Sequence, residues 1–400
     1  MNQSDVVIVG GGIVGLSTAM ELQRRYSDLH VTVIEAESDV AKHQSGHNSG
    51  VLHSGIYYKP GSQKAICCRT GKKAMEAFCS QHSIPWDKCG KVVVATSHQE
   101  IPRLENLVQR AALNGVQCER INSDQLRELE PAVAGVSALH VPETGIVNFR
   151  VVCHKMADLL RDKGATIKLD FQLSSIDARA GGLHLRSKKD EQIQCGHLIN
   201  CAGLQSDRVC KMAGVDTEMM VVPFRGEYYD LVPSSETLCR NLIYPVADPS
   251  FPFLGVHFTR MIDGGVECGP NAVLALARSG YSWRDINLKD LSDTFKFKGF
   301  RKLAAKHWRM GLGEMHRSVR KQAFVTALQK LIPKIRAKDL IPGRAGVRAQ
   351  TVTPDGNLID DFLFETSARA IHVLNAPSPA ATASLAIADH IVDSFAARAN

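Results

Sequence analysis

The sequence lacks any apolar run near the roughly 20 residues that cross a bilayer, so a spanning helix is excluded. It also lacks the features of a secretory leader, because residues 5–9 (DVVIV) already read as a strand. The default expectation is a cytoplasmic compartment. Paired cysteine motifs are missing as well: eleven cysteines, an odd number, are scattered without a CxxC. A chain of this size has no need of disulfide staples. The cysteines read as reduced thiols, with a redox role for the adjacent Cys67 and Cys68 as the open alternative. No metal-ligand cluster, internal repeat or low-complexity tract stands out, and no single linker separates the domains.

What is present is the composition of a folded, water-soluble body. With 44% apolar and 22% charged residues, neither disorder nor a multi-spanning membrane protein fits. At 400 residues the chain exceeds the size at which single cores stop growing, about 250–300 residues, so two lobes are expected. The net charge of +7 is uneven: residues 289–321 hold ten Lys or Arg against three acids.

A strand at 5–9, a helical spacing over 13–26 and a strand at 31–34 open the chain. A helix over 63–82 with Ser62 as its cap, a strand at 91–95 and a helix over 100–114 follow. This alternation favours a parallel sheet. A helix over 148–164 precedes strands at 167, 173–176, 183–185 and 197–201, the last returning the chain to the first sheet. Strands at 221–231, 242–246, 255–260 and 266–269, rich in aromatics and broken by Pro, suggest a second, antiparallel lobe. A basic helical segment spans 284–330. The chain closes with a strand at 371–374 and a helix over 379–398, with Ser378 as cap and Pro379 at the first helical position. The expected fold class is α/β with an α+β second lobe. A Rossmann-like nucleotide-binding domain (1–80, 145–220 and 340–400) interleaves with an antiparallel-sheet substrate domain (81–144 and 221–339).

Gly10, Gly12 and Gly15 form GxGxxG between the first strand and helix. The first glycine allows a tight turn, the second a close backbone approach to a pyrophosphate, and the third close helix packing. Phosphate then sits on the helix N-terminus, where free N–H groups and the dipole favour negative charge. Glu35 ends the second strand twenty residues after Gly15, where a carboxylate accepts from adenosine ribose hydroxyls and disfavours a 2′-phosphate. A polar loop follows within ten residues: Gln44, Ser45, Gly46, His47, Asn48, Ser49, Gly50. Such a loop can run along the pyrophosphate and ribityl chain, which points to non-covalent FAD rather than NAD.

The order of motifs resembles the D-amino-acid-oxidase-like superfamily of FAD enzymes over nearly the whole chain. Within it, five runs resemble the L-2-hydroxyglutarate dehydrogenase/oxidase family. They are QSGHNSGVLHSGIYYKPGS (44–62), PFRGEYY (223–229), PFLGVHFTRMIDGGVECGPNAVLA (252–275), AGVRAQTVTPDGNLIDDF (345–362) and NAPSPAAT (375–382). The resemblance implies oxidation of L-2-hydroxyglutarate to 2-oxoglutarate with reduction of FAD. For bacterial members it also implies inner-membrane association on the cytoplasmic face and electron transfer to the respiratory chain. Flavin contacts carried over are Gly10, Gly12, Gly15, Glu35, Ser45, Asn48, Ser49, Leu173, Ala202 and Gly203. At the far end they are Asn375, Pro377, Ser378 and Ala380. An amine or amino-acid oxidase of the same fold, or a non-catalytic flavin-binding subunit, are the alternatives.

Oxidising a 2-hydroxy acid requires hydride removal from the carbinol carbon and a neutral base for the hydroxyl proton, for which histidine suits neutral pH. His53, just beyond the flavin loop, and His257, on the strand resembling the family's substrate wall, are the two candidates. Arg348, in GVRAQ, stands where related amino-acid oxidases place a carboxylate-binding Arg. Ala349 departs from their GLRP, and an ion pair of Arg348 with Asp355 is the competing structural role. For the second carboxylate, Arg225, Tyr57, Tyr58, Tyr244 and Arg260 are unranked candidates. Lys296, Lys298, Arg301, Lys302, Lys306 and Arg309, interleaved with Phe295, Phe297, Phe300, Leu303 and Trp308, suit an anionic membrane surface. Peripheral membrane contact and a quinone acceptor are expected, oxygen remains open as acceptor, and nucleic acid is not the expected partner.

Overall fold

The computed structural model describes residues 2–248 and 254–399; Pro252 and Phe253 of the quoted run 252–275 lie outside them. Ala370–Asn375, Gln192–Asn200, Asn2–Val9, Val31–Ile34 and Thr166–Lys168 lie side by side as a parallel array. Their near-continuous apolar runs fit this position, since a central parallel strand is covered on both faces. Val6, Val7 and Ile8 are fully buried. The helices Ile13–Arg25, Gln63–Gln81, Phe149–Asp162 and Ala380–Ala399 contribute Leu16, Met75, Met156 and Ile387 to the core on one face. The antiparallel ribbon Leu173–Arg179 with Gly182–Ser187 extends the same sheet and shares a smaller core with Val7 and Val9. Helix starts are chemically specified: Ser62 accepts from Ala65 N–H, and Asn148 from Arg150 and Val151 N–H.

The second sheet has nine strands among the described residues. Lys91–Ala95 belongs to it rather than to the first sheet, which corrects the reading of unbroken alternation up to residue 114. It runs parallel to Leu242–Pro245 and antiparallel to Ser137–Val141, so the second lobe contains one parallel pairing. The longest strand, Leu340–Val352, was not recognised in the sequence, because its Pro342, Gly343 and Gly346 break any alternating pattern. It pairs along Met220–Leu231. Residues 340–352 thus extend the second sheet, although the expectation grouped them with the cofactor part. A third sheet of Val51–Leu52, Gly145–Val147 and Trp86–Asp87 holds the chain just after the polar loop.

The basic segment forms three helices, Leu288–Lys296, Lys298–Val319 and Lys321–Leu328. The second is interrupted at His307 (φ −117°, ψ 20°). Before the break, Phe300 and Leu303 are buried against Val222 and Val352, and Phe297 packs on the same cluster. These three therefore serve the core and are not surface anchors. Phe295 and Trp308 are exposed, and beyond the break Trp308, Leu312, Met315 and Val319 are all exposed. That spacing places four apolar side chains on one outward face.

Candidate functional site

A cavity of about 1030 Å³ runs from the glycine turn to the second sheet. Gly10 has φ +113°, and a Cβ there would lie 2.5 Å from Cys201 O. A Cβ on Gly15 would lie 2.1 Å from Gly10 O, so this glycine serves helix-to-strand packing and does not line the cavity. Gly12 stands at the helix start with no capping side chain of its own; Ser45 Oγ accepts the Ile13 N–H at 2.9 Å instead. Glu35 is buried, and its carboxylate accepts Gly11 N–H at 2.7 Å and Glu37 N–H at 3.0 Å. A carboxylate has about four acceptor positions, so Glu35 retains capacity for hydroxyl donors on the cavity side. Leu173, Ala202 and Gly203 complete this end. The bare glycine surface, the helix start whose Gly12 offers no capping side chain and the part-used carboxylate fit the ribose and pyrophosphate of a dinucleotide.

The polar loop lies alongside. Asn48 is spent on shaping it: Nδ2 donates to Gln44 O at 3.0 Å and Ser45 O at 2.8 Å, while Oδ1 accepts Gly50 N–H at 2.9 Å. Asn48 and Ser49 line the cavity, Asn48 leaving chiefly its backbone for a ligand. The strand Leu340–Val352 is tied to this loop. His47 Nδ1 donates to Ala345 O at 3.1 Å, Arg344 donates to Asn48 O at 2.6 Å, and a Cβ on Gly346 would meet His47 O at 2.5 Å. This close approach carries Arg348 to the cavity wall, where it meets the Tyr228 hydroxyl. Asp355, the competing partner considered for Arg348, pairs with Lys302 at 2.9 Å. Tyr228 was missed as a candidate, since nothing in PFRGEYY separates it from Tyr229, which packs on Phe324.

His53 and His257 face the same end of the cavity. His53 is fixed by its N–H to Thr382 Oγ1 at 3.1 Å and by the Cys68 thiol donating to its carbonyl at 3.2 Å. Its Nε2 lies 3.4 Å from Ser378 Oγ. Burial lowers its pKa to about 3, assisted by the charges of Lys91, His257 and Lys64. His257 Nδ1 lies 3.0 Å from Gly255 O; a carbonyl only accepts, so this nitrogen carries the proton and Nε2 keeps a lone pair. Burial pulls its pKa to about 4 against that hydrogen bond, with Arg348 and Lys91 adding to the depression. Both imidazoles are therefore neutral near pH 7. Tyr57, Tyr58 and Tyr244 line this end, their phenols held protonated by burial.

Several expectations are corrected. Arg225 is fully buried, pairs with Glu227 at 2.9 Å and stacks on Trp283 at 4.2 Å, away from the cavity lining. The register sets Arg225 opposite Val347 and Phe224 opposite Arg348, so Arg225 and Arg348 belong to opposite sheet faces. Arg260 is paired with Asp87 and does not line the cavity. Asn375 is spent on Thr351 N–H, Ile359 O and Asp361 O and is also absent from the lining. Pro377, Ser378 and Ala380 do line it. The last helix begins at Ala380, and Pro379 O accepts the Ala383 N–H at 2.9 Å. Pro379 thus precedes the helix, and Ser378 turns its hydroxyl to His53 and Tyr58 instead of capping.

All eleven cysteines are free thiols. Burial pushes Cys68 up to about 12, the reverse of a reactive thiolate. Among the described residues no cluster of His, Cys, Asp and Glu is arranged to hold a metal. No helix among them is long and apolar enough to cross a membrane.

A nucleotide cradle joined to a histidine- and arginine-bearing wall defines a flavin-dependent dehydrogenase or oxidase, and comparison with known proteins agrees. Residues 5–394 match the family described as FAD dependent oxidoreductase (DAO), and the chain belongs to that family. It is 47% identical over 388 residues to the L-2-hydroxyglutarate dehydrogenase of Escherichia coli K12, covering 97% of this chain and 92% of that protein. It is 43% identical to the mitochondrial L-2-hydroxyglutarate dehydrogenase of Homo sapiens, covering 97% and 88%. Among solved structures, the L-alpha-glycerophosphate oxidase of Mycoplasma pneumoniae with FAD bound superimposes with a TM-score of 0.79 at 22% identity, covering 98% and 94% of the two chains. That likeness speaks for the fold.

Proposed function

We propose that the protein oxidises L-2-hydroxyglutarate to 2-oxoglutarate. The observation that carries this reading is the convergence of Arg348, two neutral histidines and a tyrosine wall at the end of the cavity away from the glycine turn. The high identity to L-2-hydroxyglutarate dehydrogenases along almost the whole chain supplies the substrate. Gly10, Gly12, Glu35, Ser45, Ala202 and Gly203 would hold the adenosine and pyrophosphate. Pro377, Ser378 and Ala380 would face the flavin end. In this reading the first sheet with its helices binds cofactor, and the second sheet presents substrate.

Arg348 receives the carboxylate beside the reacting carbon, its planar fork matching two oxygens. The 2-hydroxyl then lies by the imidazoles, one of which takes its proton as the C2–H bond breaks. The carbinol thereby loses a proton and a hydride, two electrons in all, and becomes the ketone. Bound FAD supplies the hydride acceptor. The buried tyrosines exclude water from this end.

We further propose peripheral contact with an anionic membrane and a quinone as acceptor. Supporting the contact are the basic run 296–309 and the outward stripe of Trp308, Leu312, Met315 and Val319.

Anaerobic addition of L-2-hydroxyglutarate should bleach the bound flavin, while glycine, sarcosine and D- or L-amino acids should not. Bleaching by an amino acid alone would transfer the protein to the amine-oxidising branch of the fold. No bleaching by any of them, with flavin bound, would support a non-catalytic role.

A further inference from the structure

Lys91 opens the strand Lys91–Ala95 and is 1% exposed. Its Nζ lies 4.7 Å from the centroid of the Tyr57 ring and 5.0 Å from that of Tyr244. Among the described residues the ammonium has no hydrogen bond or ion pair. The register sets Lys91 beside Leu242 and Val93 beside Tyr244, so Lys91 and Tyr244 share one face of the sheet. Both tyrosines line the cavity, and the Tyr57 hydroxyl is buried without a partner.

An isolated buried cation is destabilising, and a Met or Leu of similar volume would fill this space without the desolvation cost. Ring faces recover only part of that cost. A charge retained here therefore calls for an anion that arrives later. Under the proposed function the substrate carries two carboxylates, and Arg348 accounts for one. The other cations considered for the second carboxylate or lining the cavity end are already matched: Lys64 by Asp360, Arg225 by Glu227 and Arg260 by Asp87. Lys91 lies one layer behind the cavity lining, against the Tyr57 and Tyr244 rings, and has no matching acid among the described residues.

We propose that Lys91 is a positioning residue for the substrate's second carboxylate. Its ammonium behind the Tyr57–Tyr244 wall, with the Tyr57 hydroxyl as direct donor, makes the site select a dicarboxylate over a monocarboxylate of equal length. The inference rests on the proposed 2-hydroxy-acid oxidation.

The test compares flavin reduction by L-2-hydroxyglutarate with reduction by L-2-hydroxyvalerate, in which a methyl group replaces the distal carboxylate, using FAD-loaded protein in stopped flow. In Lys91→Met the preference for the diacid, as the ratio of second-order rate constants, should fall at least tenfold, mainly through weaker diacid binding. The unmodified protein gives a second readout that does not depend on a variant folding. Burial lowers the Lys91 pKa to about 8, so the diacid preference should decline as pH rises from 7 to 9. The groups facing Lys91 do not titrate in that window. Tyr57 and Tyr244 are raised by burial, Cys68 lies at about 12, and His53 and His257 lie at about 3 and 4.

A preference unchanged in Lys91→Met, or constant from pH 7 to 9 in the unmodified protein, would overturn the role of Lys91. Failure of L-2-hydroxyglutarate to bleach the unmodified protein would instead overturn the functional reading on which it rests.

Discussion

At the level of single residues, the reacting end depends on side chains kept in an otherwise unfavourable state. His53 and His257 are held neutral because burial and the nearby positive charges of Lys91 and Arg348 all oppose protonation. Replacing whichever histidine acts as base by Gln should lower the rate of flavin reduction about 10²–10⁴-fold, with the flavin spectrum retained. Stopped-flow reduction of both single variants identifies it, and near-normal rates in both would remove histidine from the proton step. For Arg348→Met, loss of a charge-assisted contact of about 1.5–3 kcal/mol should weaken substrate binding roughly 10- to 100-fold. The concentration dependence of flavin reduction reads this directly. The sequence supplied Arg348 and both histidines through resemblance, but it could not separate Tyr228 from Tyr229 or reveal that Arg225 turns to the other sheet face. Those distinctions arise from strand register, which one residue of slip inverts.

At the level of elements, the glycine turn and the helix Ile13–Arg25 were legible because three constraints coincide: a buried strand, glycines at fixed offsets and an amphipathic helix. The Cβ clash at Gly15 with Gly10 O, at 2.1 Å, leads to a test. Gly15→Val should abolish flavin retention through purification, measured as the ratio of flavin to protein absorbance; a normal ratio would contradict the packing role. The strand Leu340–Val352 was illegible for the opposite reason. Its glycines permit the close approach to His47 that positions Arg348, while erasing the alternation by which a strand is recognised. The basic segment was half legible. Composition flagged its charge, yet only the three-dimensional packing separates Phe300 and Leu303, inside, from Trp308 and Leu312, outside. Flotation with anionic liposomes at low salt should carry the protein, and replacing Trp308 and Leu312 by Ser or neutralising Lys296 to Arg309 should release it. Equal flotation of all variants would remove the membrane contact.

At the level of the molecule, two sheets share one cavity, and neutral histidines buried at its wall (His53, His257) and inside the first sheet (His372, beside Asn200) couple stability to pH. His53, His257 and His372 have pKa values lowered to about 3, 4 and 4 from 6.5. The unfolded chain binds protons that the native state refuses. Stability is therefore complete above about pH 6.5 and declines as pH falls toward 4, by at most about 1.4 kcal/mol per pH unit for each histidine. Urea unfolding at pH 7, 6 and 5 with saturating FAD should show this decline, and His372→Asn should reduce its slope by about one proton; a flat profile would contradict it. The central claim is that the nucleotide cradle and the Arg348 wall form one active site for a 2-hydroxy acid. Its most direct test is an anaerobic titration of the FAD-loaded protein with L-2-hydroxyglutarate, following flavin absorbance and 2-oxoglutarate together. One equivalent of 2-oxoglutarate formed for each flavin bleached is the expected result, and bound flavin that stays oxidised in excess substrate would contradict the claim.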